Sequence, residues 1–198
     1  MSIHPDQSAP ELRKLWRRDH IEITRHFLRL DADSRQLRFG MPVNDAFIKS
    51  YVDGLSGEGT LLVGGFFDGE LRAVGELRGL TQAKTVGAEL ALSVERDWQG
   101  RGLGSAVFAR LVTAAQNRGV TSLYVLYLHE NRRIQRIVAK HNAKFRAEGS
   151  QIEASFRPAW ATPLSVAREI GGDIAAYSKR MFRALGARST PQRRAPQG

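Results

Sequence analysis

Apolar and polar positions along this chain follow two periods. Leu61-Leu62-Val63-Gly64-Gly65-Phe66-Phe67, then Asp68-Gly69, then Leu71 to Leu77 has strand character on both sides of a two-residue turn. That pattern predicts a hairpin with a type I′ turn. Ala88 to Val94 and Ser122 to Leu128 are apolar runs of strand length, and each precedes a stretch of helical period. After the first run, Leu103, Val107, Phe108, Leu111, Val112 and Ala115 mark one face of a helix that Gly119 closes. After the second run the face is Ile134, Ile137 and Val138. Upstream, Leu12 to Arg17 predicts a first edge strand, and Asp19 with Glu22 forms a capping box for a helix through Ile23, Phe27 and Leu30. Asp31 to Phe39 reads as a turn, and Phe47 to Val52 as a second short helix. Phe145 and Ile152 to Phe156 supply the last strands, joined through Glu148-Gly149. Pro158 and Pro163 break the pattern. Pro163 to Leu185 is a weak amphipathic helix (Leu164, Ile170, Ile174, Met181, Leu185) suited to covering a surface or to assembly.

Between the strand ending at Val94 and the helix that follows lies Gln99-Gly100-Arg101-Gly102-Leu103-Gly104. A strand that turns through glycines into a helix leaves free backbone N–H groups converging on the positive end of the helix dipole, which suits a phosphate. A P-loop needs Gly-x-x-x-x-Gly-Lys-Ser/Thr, and no Lys lies between Lys84 and Lys140. A dinucleotide fingerprint needs Gly-x-Gly-x-x-Gly, and counting from Gly102 the third position is Val107. Both common phosphate loops are excluded.

What remains, Gln-x-x-Gly-x-Gly after a strand, resembles the acyl-CoA pyrophosphate loop of the GNAT N-acetyltransferase superfamily. The resemblance runs from about Leu12 to Arg157 and is most specific from Glu89 to Asn131. It implies an α+β fold: a mixed central sheet with two splayed parallel strands flanked by helices, here with a C-terminal helical extension. The domain is expected at 11–158, after a loose N-terminus at 1–10. The helical extension follows at 159–187 and a disordered basic tail at 188–198. The turn at Asp31 to Phe39 is of a kind found in GNAT domains of bacterial protein-lysine acetyltransferases. In that family the pantetheine arm lies in the splay and pairs with the first strand's backbone, and the early helices form one wall of the acceptor pocket. Acetyl-CoA is the implied acyl donor, with no metal.

The chain has 198 residues, enough for one domain with a real core, and no cysteine. Disulfides, thiolate zinc sites and an acyl-cysteine intermediate are therefore excluded. No secretory core and no apolar run near 18 residues predict a cytoplasmic protein that does not span a membrane. The net charge of +10 is uneven: residues 131–198 hold 14 Lys/Arg against 4 Asp/Glu, while residues 1–130 balance. Arg132, Arg133, Arg136, Lys140, Lys144 and Arg146 lie near the end of the wedge, where some of them would meet the CoA phosphates. The rest of the excess reads as a solvated helix face and tail, with no nucleic-acid motif and no membrane patch.

Acetyl transfer needs a neutral amine, a polarised thioester carbonyl and a proton for the departing thiolate. Glu89 is the candidate base, a carboxylate in an otherwise apolar strand at the splay; the plain alternative is a structural hydrogen bond or ion pair. Carbonyl polarisation falls to a backbone N–H of Leu92, Ser93 or Val94. Gln99, Gly100, Arg101, Gly102, Leu103, Gly104 and Ser105 form the expected pyrophosphate cradle, with Arg133 nearby. Asn131 matches the family asparagine that orients pantetheine, and it also suits a helix N-cap. Many members carry a tyrosine acid seven residues after that asparagine, and here the position is Val138. Valine donates no proton, so Tyr127 and His129, on or beside the second strand, become the candidates.

Three readings stay open. One is an acetyl-CoA-dependent N-acetyltransferase acting on a protein lysine, a protein N-terminus or a small amine, with room for a homodimer. The second is a non-catalytic acyl-CoA-sensing domain, suggested by Val138. The third is an interaction module built on the basic C-terminal extension.

Overall fold

A computed structural model describes residues 10–55, 57–80 and 87–187. The loose N-terminus expected at 1–10 and the basic tail at 188–198 lie outside these residues, apart from Pro10. Among the described residues seven strands form one sheet: β1 (Glu11–Leu15), β2 (Thr60–Phe67), β3 (Glu70–Arg78), β4 (Gly87–Val94), β5 (Ser122–Leu128), β6 (Lys144–Glu148) and β7 (Gln151–Phe156). Their spatial order is β1-β2-β3-β4-β5-β7-β6, and of the neighbouring pairs only β4 and β5 are parallel. The expected hairpin is β2–β3, with Asp68 and Gly69 both at positive φ (51° and 83°) as a type I′ turn demands.

The α-helices are α1 (His20–Arg29), α2 (Ala32–Phe39), α3 (Asp45–Gly54), α4 (Leu103–Asn117), α5 (Arg132–Val138) and α6 (Pro163–Ala187). One face of the sheet packs on α4, with Leu103, Val107, Phe108 and Leu111 buried in one cluster with the strand residues Val63, Leu77 and Leu90. The other face packs on α1 and α3 through Ile23, Phe27, Ile48 and Val52. Burial of these apolar side chains drives the layering, at about 1.5–3 kcal/mol for each large one.

Three expectations change in the structure. The first strand runs Glu11–Leu15 rather than Leu12 to Arg17. Asp19 precedes α1, but its side chain makes no cap bond there. Its carboxylate accepts from the Trp16 N–H (2.8 Å) and from Arg13 (3.0 Å), tying β1 to the start of α1. Asp31 to Phe39 is a helix, not a turn. Asp31 caps it by accepting from the Ser34 N–H (2.8 Å), and Gly40 ends it at φ 74°. No residue of α2 is fully buried, so its apolar period is too weak to read.

The C-terminal extension α6 docks through polar contacts. Arg110 pairs with Asp173 (2.8 Å) and Arg118 with Glu169 (2.8 Å), while Leu164, Ile170 and Ile174 remain exposed. Among the described residues, no helix is long and apolar enough to cross a membrane.

Candidate functional site

The parallel pairing of β4 with β5 covers only Gly87 with Ser122, Ala88 with Leu123 and Glu89 with Tyr124. Beyond Glu89 the strands part, while β4 keeps β3 on its other side as far as Val94. The Glu95 N–H donates to the Arg72 carbonyl (3.0 Å). By alternation the Ser93 amide also faces β3, and the Leu92 and Val94 amides face the gap. Gln99, expected at the pyrophosphate, donates from Nε2 to the Val94 carbonyl (2.8 Å). It therefore fixes the end of the strand edge while lining the cleft.

A cleft of 470 Å³ opens at this gap, lined by Leu92, Ser93, Val94, Gln99, Gly100, Gly102, Gly104, Ser105, Asn131 and Arg133, among others. Gly100 and Gly102 have φ of 76° and 81°, a conformation that costs an L side chain about 1–2 kcal/mol. A Cβ at either glycine would meet nothing within 4 Å, so the backbone is bare on its outer side. The first α4 bond runs from the Ala106 N–H to the Gly102 carbonyl (3.0 Å). The N–H groups of Leu103, Gly104 and Ser105 precede it and have no partner within the helix. Arg133, Arg136 and Lys140 bring positive charge to the same cleft. The donor set therefore fits a pyrophosphate, with the apolar Leu92, Val94, Ile134 and Ile137 suited to the arm beyond it.

Two expected cradle side chains point elsewhere. Leu103 is fully buried in the core, which leaves only its backbone to the loop. The Arg101 guanidinium lies over the Trp98 ring, 5.0 Å from its centroid. Asn131 caps α5 by accepting from the Ile134 N–H (3.3 Å) and also lines the cleft.

A second, narrower cavity of 160 Å³ adjoins the first, and Leu37, Arg38, Leu92, Asn131 and Ile134 line both. Its walls include Glu89, Tyr51, Arg78 and Tyr127. Glu89 is half-buried and sits where β4 and β5 part. Tyr127 is buried, and its hydroxyl has no partner among the described residues. Burial pushes that hydroxyl above its usual pKa, which keeps it protonated at neutral pH. His129 follows the end of β5, is exposed and lines neither cavity.

The fully buried carboxylate of this region is Glu76 rather than Glu89. Burial alone would raise its pKa, but Arg38 and Arg78 beside it, with the Tyr51 hydroxyl (2.7 Å), hold it below the usual value. The signal that singles out Glu89, a carboxylate in an apolar strand, is equally present at Glu76. Val138, at the position of the family tyrosine, is fully buried core.

Residues 12–142 match the model of the acetyltransferase (GNAT) family. The chain belongs to this family. Solved structures agree on the GNAT fold. The GNAT domain of S. lividans PAT superposes with a TM-score of 0.66 at 18% identity, covering 76% of this chain and 91% of that one. The ribosomal-protein-S18-alanine N-acetyltransferase from Escherichia coli gives 0.61 at 16% identity, covering 78% and 97%. YncA from Salmonella typhimurium, solved with its cofactor acetyl-CoA, gives 0.58 at 12% identity, with the same coverage of 78% and 97%. No curated protein matches the sequence closely enough to add to this. Among the described residues of this GNAT acetyltransferase, no group of three His, Asp or Glu is arranged to hold a metal ion.

Proposed function

We propose that this GNAT protein moves an acetyl group from acetyl-CoA to a primary amine by direct transfer within a ternary complex. The observation that carries the reading is the pair of cavities beside the gap between β4 and β5, which share Leu37, Arg38, Leu92, Asn131 and Ile134 as walls. One cavity has the donors for a pyrophosphate. The other has a carboxylate and a protonated hydroxyl within its walls.

In this reading the pyrophosphate rests on the Gly100–Ser105 backbone at the start of α4, with Arg133, Arg136 and Lys140 meeting the phosphates. The Leu92 and Val94 amides pair with the pantetheine arm, and one of these N–H groups polarises the thioester carbonyl. The amine enters the narrower cavity and gives a proton to Glu89, directly or through water. Nitrogen attacks the carbonyl carbon, the C–S bond breaks, Tyr127 gives its proton to the leaving sulfur, and the surplus proton on nitrogen returns to the Tyr127 oxygen through water. The acceptor is a protein lysine, a protein N-terminus or a small amine.

The test is CoA release from acetyl-CoA with and without a panel of amines, lysine peptides and N-terminal peptides, beside a calorimetric titration of CoA. Amine-dependent release is the expected result. CoA binding with no release under any amine would favour a sensing domain, the reading that Val138 suggests.

A further inference from the structure

Among the described residues, the stretch of β4 that borders the gap has a strand neighbour on one side only. Its position on the open side must be set by other contacts. The side chains of Ser93 and Glu95, two residues apart, point to the same face of the sheet. Both meet His26 of α1, whose side chain is fully buried. His26 Nε2 lies 2.8 Å from Ser93 Oγ, and Nδ1 lies 3.1 Å from Glu95 Oε1. Glu95 also accepts from Arg29 (2.7 Å) and Arg72 (2.9 Å), and Arg29 reaches the Leu71 carbonyl (2.7 Å). Val94, between the two tethered residues, has its amide facing the gap.

The charges fix the proton positions. Burial would raise the Glu95 pKa, but its bonds to His26, Arg29 and Arg72 bring it down to about 2, so it is ionised at neutral pH. A carboxylate accepts, so His26 Nδ1 carries the proton. Burial lowers the His26 pKa and outweighs the pull of Glu95; Arg29 lowers it further, and Glu76 raises it at longer range. The ring is therefore neutral, and its bare Nε2 accepts from the Ser93 hydroxyl.

Serine, histidine and a carboxylate in series also describe a nucleophile and its base. The physics argues against that use here. A base must become an imidazolium, and this ring is buried beside a carboxylate already paired with two guanidiniums. The Ser93 Oγ also lies 3.3 Å from the Val74 carbonyl, which competes for the one hydroxyl proton; the shorter 2.8 Å contact to Nε2 takes it.

We infer that His26 is a positioning residue of the acyl-CoA site: as a neutral, Nδ1-protonated brace between Ser93 and Glu95, it sets the direction of the Leu92 and Val94 amides that face the gap. It does so without touching the reacting atoms. The inference rests on the reading of the cleft as the acyl-CoA site. Its consequence is a defect in acyl-CoA binding rather than in proton transfer, because Glu89 and Tyr127 lie on other contacts. Amides that hold the arm act on KM, and the one that polarises the carbonyl acts on kcat as well.

Two measurements test it. In His26→Phe, which keeps an aromatic ring and removes both hydrogen bonds, KM for acetyl-CoA and Kd for CoA should rise roughly 5- to 30-fold. The kcat should fall too, by up to about tenfold, because one of these amides polarises the carbonyl, and adding Ser93→Ala should make little further difference. Wild-type affinity and KM in His26→Phe would overturn the inference, as would a loss confined to kcat. The second measurement uses the intact wild-type chain, so it survives a variant that fails to fold. Nitrogen-15 NMR of the His26 ring should give the Nδ1-protonated neutral tautomer at neutral pH. A ring protonated at Nε2, alone or together with Nδ1, at neutral pH would overturn the brace. Failure of wild-type protein to bind CoA would instead overturn the reading of the cleft, while the NMR result still decides the tautomer.

Discussion

Two glycines two residues apart should respond in opposite directions to the same substitution. At Gly102, φ is 81° and a Cβ would meet nothing within 4 Å. Gly102→Ala therefore adds no clash within the protein, only the left-handed strain of about 1–2 kcal/mol. For a domain of this size that lowers Tm by roughly 2–8 °C. Gly104 lies in the first turn of α4, where the backbone is helical. A Cβ there would meet Leu92 Cδ2 and Val94 Cγ2 at 3.4 Å and Ile137 Cδ1 at 3.6 Å, ordinary contacts with side chains. Gly104→Ala should leave stability unchanged or raise it by up to about 1 kcal/mol through reduced chain entropy. Its methyl nevertheless enters the floor of the cleft between β4 and α5. In the proposed complex the bound arm packs on that floor, and the intrusion costs about 1–3 kcal/mol of binding, roughly 5- to 150-fold in Kd. Thermal unfolding and calorimetric titration of CoA read the two effects separately. Equal destabilisation by both variants would refute the conformational argument. Unchanged CoA affinity in both would refute the placement of the ligand.

Glu89→Gln should lower kcat at neutral pH while leaving Kd for CoA unchanged; wild-type kcat takes Glu89 out of the mechanism. Tyr127→Phe removes a buried hydroxyl with no partner among the described residues, so stability should hold or rise by up to about 1 kcal/mol. Its kcat should fall by about a hundredfold, and wild-type turnover would exclude the hydroxyl as the acid. Glu95 has its folded pKa held at about 2 against an ordinary 4.5. A depressed carboxylate stabilises the fold above its unfolded pKa and loses that effect as pH falls. Up to about 3 kcal/mol should therefore drain away between about pH 5 and pH 2. Urea midpoints that do not move between about pH 5 and pH 3 would contradict the network around Glu95.

The parts of this protein that the sequence determined are those governed by contacts close along the chain. Asp68-Gly69 dictates the hairpin because two successive positive-φ positions fit few other residue pairs. The loop at Gly100 and Gly102, between an apolar run and a helical period, specifies a strand-to-helix turn with bare amides at its end. Asn131 caps the next helix by reaching only three residues ahead. Helix α2 is hidden because its stabilising contacts are polar and partly distant, including the bonds from Arg96 to Asp31 and Asp33. Tertiary structure alone decided where β4 and β5 part, since the register of two strands separated by a helix is set by how that helix packs. It also decided the roles of the buried polar groups. Glu76 finds Arg38 from α2 and Tyr51 from α3, and His26 finds Glu95 at a separation of 69 residues. A strand pattern shows which face such a side chain occupies. Its charge state and its work depend on partners that only the folded chain brings within hydrogen-bonding distance.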